Sequence, residues 1–154
     1  MSTATHDPIQ LRELTVTFFQ DEADTDGAAT VFEVRVPVGA FTPPAHRHDG
    51  FDEVFYVTEG TFTFVVDDVV HEFRAGQTGF IRRGQVHRFD NTGTVDGAFL
   101  TAATPGVFGP RYFQELAAVL DASPDGPPNL DALFGVMSRH GLTPVMPNAP
   151  TSVS

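Results

Sequence analysis

The sequence lacks cysteine and lysine altogether, and its few serines are poorly placed for catalysis. Without cysteine the chain has no disulfide, zinc–thiolate site, iron–sulfur cluster or thiol nucleophile. All 9 basic residues are arginine, so Schiff-base chemistry by a lysine is also excluded. The serines are Ser2, Ser123, Ser138, Ser152 and Ser154. A Ser-His-Asp hydrolase is therefore poorly supported, and chemistry must come from histidine, carboxylates, arginine, tyrosine or a cofactor.

Basic charge and long apolar runs are also scarce. The net charge is −11, and an acidic surface repels phosphate backbones, so we expect no nucleic-acid partner. No segment approaches the roughly 18 apolar residues of a membrane span, and residues 1–10 carry no signal-peptide pattern. We therefore expect one soluble, cytoplasmic domain without a membrane partner, in agreement with a length of 154 residues.

The first two thirds of the chain show the alternation typical of β-strands. Leu14, Val16 and Phe18 alternate with polar residues, and a similar alternation runs through residues 32–38. Pro37 cannot donate a hydrogen bond to a neighbouring strand, so its strand is predicted at a sheet edge or at a bulge. Further strands are predicted at 53–58, 61–66, 69–73, 78–81, 87–90 and 97–102. Many short strands separated by turns favour a sandwich or a barrel.

The C-terminal part changes to a helical pattern. Phe113, Leu116 and Leu120 follow helical spacing. Asn129 is a suitable cap for a second helix, which Gly141 would end. The predicted organisation is a flexible N-terminus at 1–10, a barrel at 11–106, a helical extension packing on the barrel at 107–146 and a flexible tail at 147–154.

Three histidines and one glutamate form a candidate metal site. His46 and His48 are two residues apart, so in a strand their side chains point to the same face. Glu53 begins the next predicted strand, and His87 lies in a separate hairpin. Three imidazoles and a carboxylate suit a divalent transition metal with positions open for water, substrate or dioxygen. A His-x-His pair alone also recurs on exposed strands. We assign no metal role to the other histidines, His6, His71 and His140.

The spacing of the full set resembles the two motifs of the cupin superfamily. The first motif, His-x-His, four residues, Glu, six residues and Gly, is matched at His46, His48, Glu53 and Gly60. The second, Gly, seven residues, Gly, two residues, His, three residues and Asn, is matched at Gly76, Gly84, His87 and Asn91. The resemblance implies an all-β fold, a small cupin β-barrel (double-stranded β-helix or jelly roll), with two short C-terminal helices and a homodimeric assembly. It also implies one divalent transition metal ion per chain, Fe, Mn, Co, Ni, Cu or Zn, bound by the three histidines and Glu53.

The layout of the C-terminal part resembles that of quercetin 2,3-dioxygenase-like cupins. This resemblance implies a metal-dependent dioxygenase that uses dioxygen on a flavonol-like or polyphenolic aromatic molecule, with Glu53 as metal ligand and catalytic base. Walls rich in phenylalanine would suit such a planar substrate. The candidate pocket residues are Phe41, Phe55, Tyr56, Phe62, Phe64 and Phe89.

Two other classes of function remain open from the sequence. A metal-dependent cyclase or isomerase would use the ion as a Lewis acid on a polyketide-like substrate, and its reaction would proceed without dioxygen. A non-enzymatic cupin would bind a small ligand, and its affinity would be unaffected by metal removal.

Overall fold

The computed structural model describes residues 6–146. Its strands are β1 (Ile9–Leu11), β2 (Leu14–Gln20), β3 (Thr30–Val36), β4 (His46–His48), β5 (Asp52–Glu59), β6 (Thr61–Val66), β7 (Val69–Arg74), β8 (Thr78–Ile81), β9 (His87–Asp90), β10 (Gly97–Thr104) and, after the helices, β11 (Leu142–Pro144). The helices are α1 (Pro110–Asp121) and α2 (Leu130–Arg139). Among the described residues, no helix is both long and apolar enough to cross a membrane.

The strands form two sheets that enclose the core between them. One sheet has the order β1-β2-β3-β10-β5-β8 and the other the order β11-β4-β9-β6-β7. Ring contacts join the sheets, because Phe55 on β5 stacks on Phe64 of β6 with centroids 4.0 Å apart. The predicted fold class, a double-stranded β-helix with two short helices, is confirmed.

Alternating burial explains why these segments are strands. In β2 the side chains of Leu14, Val16 and Phe18 are buried, and the intervening threonines are partly exposed. The hairpin of β6 and β7 turns at Asp67 and Asp68, whose φ angles are 47° and 65°. Positive φ at both central residues is the geometry of a tight two-residue hairpin turn, which asparagine, aspartate and glycine tolerate best. The two residues between the strands predicted at 61–66 and 69–73 therefore have the backbone of a tight turn.

The C-terminal helices cover one side of the barrel, and a short strand follows them. Asn129 caps α2, because its side-chain oxygen accepts a hydrogen bond from the N–H of Ala132 at 3.0 Å. After α2 the chain returns to the barrel as β11, which pairs with β4. This strand was not predicted, since it has only 3 residues and one of them is proline.

Two boundaries differ from the sequence-based expectation. β3 lies inside its sheet between β2 and β10 and ends at Val36, so Pro37 avoids the ladder by lying beyond the strand. The prediction of a sheet edge or a bulge at Pro37 is therefore wrong, because the proline lies after an inner strand. At the N-terminus, Ile9 and Gln10 pair with β2, and the sheet therefore begins before residue 11. The tail predicted at 147–154 lies outside the described residues.

Arg12 connects the turn between β1 and β2 to the loop between the helices. Its Nη2 donates to the backbone oxygens of Ser123 and Gly126 at 2.9 and 2.6 Å. Its guanidinium also lies 5.3 Å from the centroid of the Phe41 ring. We expect Arg12→Ala to lower the free energy of unfolding by about 2 kcal/mol, because two charge-assisted hydrogen bonds are lost. Denaturant unfolding measures this change.

The matched control for this prediction is Arg111→Ala, since the Arg111 side chain is 80% exposed. Exposed ion pairs contribute about 0–1 kcal/mol, so the control should stay close to wild type. Equal stabilities of the two variants would contradict the role given to Arg12.

Candidate metal centre

The register of two neighbouring strands brings three imidazoles together. In β4, His46 and His48 are buried on one face, and Arg47 between them is exposed. Antiparallel pairing of β4 with β9 places His87 directly opposite His46. One nitrogen from each of the three rings lies within 4.8 Å of the others. The pairing of β4 with β9 thus brings His87 next to His46 and His48, and the predicted histidines form one cluster.

Hydrogen bonds fix which ring nitrogens are free in two of the imidazoles. Nδ1 of His46 lies 2.8 Å from the oxygen of Pro44, and Nδ1 of His87 lies 3.1 Å from the oxygen of Gln85. A carbonyl only accepts, so each Nδ1 carries the proton and each Nε2 keeps a lone pair. Nδ1 of His48 is buried and has no hydrogen bond within residues 6–146, although Oε2 of Glu53 lies 3.5 Å away. An orphaned buried nitrogen beside two free lone pairs fits a metal ligand set.

The electrostatic environment keeps these imidazoles neutral. Burial is the main cause that lowers the pKa of His46 to about 3, with a further contribution from His87. The pKa values of His48 and His87 are also lowered, again chiefly by burial. Metal ions bind the neutral imidazole, so no proton has to leave these rings at neutral pH. The donor set therefore suits a divalent transition metal.

Glu53 approaches the cluster from the opposite sheet. Its Oε2 lies 3.5 Å from Nδ1 of His48, and its side chain is 13% exposed. Burial raises the pKa of Glu53 to about 7, although a 3.4 Å hydrogen bond from the hydroxyl of Thr101 opposes the shift. Glu53 lies outside the mutually close group of donor atoms, which contains the imidazoles alone. The structure thus places it where a carboxyl group can hold or release a proton beside the histidines.

The imidazoles and Glu53 open onto a cavity with a hydrocarbon wall. Its free volume is about 60 Å³, room for a few water molecules. Phe64 and Phe89 contribute rings to the wall, as predicted for two of the candidate pocket residues. The C-terminal extension closes the cavity through Phe108, Tyr112 and Phe113. Sequence reasoning missed these three. Tyr112 and Phe113 lie on the apolar face of α1, which indicates core packing as well as it indicates a binding wall, and Phe108 lies in the loop before that helix.

The other candidate pocket residues have different positions. Phe55 and Phe62 are fully buried in the core between the sheets. Tyr56 is 45% exposed, because alternation along β5 turns it to the outer face when Phe55 points inward. Phe41 is partly buried beneath the guanidinium of Arg12. None of these four lines the cavity above the imidazoles.

A larger groove lies on the other side of the metal-site sheet. Its volume is about 720 Å³, and His87 belongs to its lining as well as to that of the inner cavity. Leu130 and Phe134 of α2 and Met146 after β11 give it apolar walls. The groove is larger than the inner cavity and reaches the same histidine from outside the barrel.

Comparison with known proteins agrees with this geometry. The Cupin_2 family, described as a cupin domain, matches residues 32–102. A predicted oxalate decarboxylase from Thermotoga maritima superposes with a TM-score of 0.57 at 22% identity over 66% of this chain and 92% of that one. Residues 32–102 form a cupin domain.

Two further relatives of this cupin-domain protein come from streptomycetes. The polyketide cyclase RemF from Streptomyces resistomycificus superposes with a TM-score of 0.58 at 25% identity over 67% of this chain and 79% of that one. Protein SchB of Streptomyces halstedii is 45% identical over 51 residues, which are 33% of this chain and 37% of SchB. The match to SchB therefore spans well under half of that relative.

Tyr112 of this cupin-domain protein should resist ionisation. Its side chain is 2% exposed, and burial raises its pKa above the ordinary value of about 10. The chain has 2 tyrosines, so Tyr56→Phe leaves Tyr112 as the sole phenol. We expect phenolate absorbance in the folded variant to appear at higher pH than in the same variant under denaturant.

The raised pKa of Tyr112 also makes the free energy of unfolding depend on pH. The unfolded chain releases the phenol proton near pH 10 and the folded chain does not, so the free energy of unfolding declines as pH rises beyond about 10. Coincident titration curves for folded and denatured protein would refute the buried position of Tyr112.

Proposed function

We propose that this cupin-domain protein is a metal-dependent enzyme that cyclises or isomerises a polyketide-like aromatic small molecule without consuming dioxygen. The observation that carries the proposal is the convergence of three neutral imidazoles, with Glu53 beside them, in a cavity walled by hydrocarbon. The likeness to a polyketide cyclase supports it further.

The proposed metal site consists of His46, His48 and His87, with Glu53 within reach of His48. A divalent ion bound there would supply Lewis acidity to a carbonyl oxygen of the substrate. The apolar wall excludes water and packs against the rings of an aromatic substrate. Because the inner volume is about 60 Å³, the proposal places only the reacting part of a substrate of several rings beside the histidines.

Glu53 performs the proton transfers in this proposal. Its carboxylate takes a proton from a carbon flanked by two carbonyl groups, and the enolate carbon attacks a second carbonyl carbon of the same molecule. Protonated Glu53 returns that proton to the alkoxide formed by the attack. The carboxylate then takes a second proton from the same carbon and gives it to the new hydroxyl group, which leaves as water. One carbon–carbon single bond forms, elimination leaves a carbon–carbon double bond, and no electron acceptor is required. A carboxyl group with a pKa of about 7 is suited to both transfers near neutral pH.

Flavonol cleavage by a quercetinase-type dioxygenase receives no specific support from the relatives described above and stays a prediction. Dioxygen as co-substrate and the homodimer also stay predictions. The same metal ligands would serve ring cleavage, so the two reactions are separated by their co-substrates.

The test is conversion with and without air. Protein loaded in turn with Fe, Mn, Co, Ni, Cu or Zn is incubated with partly cyclised aromatic poly-β-ketones and with flavonols. The masses of the products are measured by mass spectrometry. We expect loss of the mass of one water from a poly-β-ketone at equal rates in air and under argon. Conversion of a flavonol with uptake of dioxygen, and no reaction under argon, would instead establish the dioxygenase.

A further inference from the structure

One polar group in the cavity wall has no role in the proposed chemistry so far. Apart from the three histidines and Glu53, the polar side chain in the lining belongs to Tyr112. Tyr112 lies on α1, beyond residues 32–102 that match the cupin family. The C-terminal extension therefore adds a phenol to a wall that is otherwise hydrocarbon.

The surroundings of Tyr112 hold its ring and leave its hydroxyl group unpaired. The ring lies 4.7 Å from Phe108, 4.9 Å from Phe113 and 5.6 Å from His140, measured between centroids. Among residues 6–146 the structure gives the hydroxyl group no hydrogen-bond partner, and burial alone accounts for the raised pKa of Tyr112. Among the described residues the buried side-chain atoms without a partner are Nε of Arg12 and Nδ1 of His48, so the phenol oxygen, which is not one of them, is open to free space. A tyrosine hydroxyl group in such a position is available to bond water or a ligand.

We propose that Tyr112 is a substrate-binding residue whose phenol O–H donates a hydrogen bond to a carbonyl oxygen of the molecule held over the histidine cluster. The proposal rests on the proposed function, since it takes the cavity as the substrate site. The phenol stays protonated at neutral pH and remains a donor. Tyr112 thus selects substrates with a carbonyl group at this side of the cavity, because a hydrocarbon analogue leaves the phenol unpaired.

The test uses two probes that differ in one oxygen, acetophenone and ethylbenzene. Calorimetric titration of the purified protein should give a fivefold to tenfold preference for acetophenone, the range of about one net hydrogen bond. Tyr112→Phe removes the hydroxyl group and no protein contact of it, so we expect a folded variant that has lost this preference. Its affinity for ethylbenzene should stay within about twofold of wild type.

Tyr56→Phe is the matched control, because it removes a phenol hydroxyl group from the exposed outer face. It should keep the full preference. Fluorotyrosine labelling adds a second readout: the protein has 2 tyrosines, and the fluorine resonance of Tyr112, assigned with the control variant, should shift more with acetophenone than with ethylbenzene.

An unchanged preference in Tyr112→Phe would overturn the proposal, and so would failure of both probes to bind. Neither probe undergoes cyclisation, and the measurement needs no turnover. A protein that keeps the ketone preference but converts no poly-β-ketone would refute the proposed reaction and leave the role of Tyr112 intact.

Discussion

His48→Ala is expected to abolish stoichiometric metal binding. The variant removes one of three imidazoles that converge within 4.8 Å, and two ligands from β4 and β9 remain. Loss of an outer hydrogen-bond partner of a metal ligand already costs about 10–100-fold in affinity, so loss of a ligand should cost more than about 100-fold. Metal content after dialysis against a competing chelator, measured by elemental analysis, is the direct readout.

The matched control for that variant is His71→Ala. His71 is exposed on β7, and its removal should leave the metal content at the wild-type value. Bound metal also stabilises the folded state, because it binds the assembled site and not the unfolded chain. Added metal should therefore raise the melting temperature of wild type and His71→Ala but not of His48→Ala. Equal metal content in the two variants would refute the proposed site.

Much of the fold could be predicted because local patterns and tertiary structure agree. The β6–β7 hairpin is the clearest case, since alternating phenylalanines and a dipeptide suited to positive φ specify the same register. Pro37 shows where such reasoning failed. The proline was correctly taken as incompatible with a ladder, but the chain met this constraint by ending β3 at Val36.

The candidate site was also predicted from the sequence only in part. Two-residue periodicity accounts for His46 and His48, but their approach to His87 depends on the pairing of β4 with β9. No local pattern encodes that register, and only the spacing shared with cupins pointed to it. The contribution of α1 was missed for a different reason. Tyr112 lies on the buried face of an amphipathic helix, where sequence alone cannot separate a cavity wall from solid core.

Glu53→Gln is expected to lose turnover far more than metal. Glutamine has the shape of glutamate and can still accept the hydrogen bond from Thr101, which lies 3.4 Å from Oε1 of Glu53. It cannot take up or release a proton near neutral pH. General acid–base groups contribute about 10²–10⁴-fold to rate, so we expect a loss of kcat in that range on the converted substrate. Because the imidazoles remain, metal content should stay near the wild-type value.

The control for Glu53→Gln makes the same change at the other end of the same strand. Glu59 ends β5, its side chain is 53% exposed, and it pairs with Arg35 at 2.9 Å. Glu59→Gln should keep full turnover. Retained turnover in Glu53→Gln would exclude Glu53 as the proton carrier. If Glu53→Gln lost metal and turnover together, Glu53 would instead be a metal ligand. The three imidazoles alone would then not bind the ion tightly enough, and the carboxylate would supply the missing affinity.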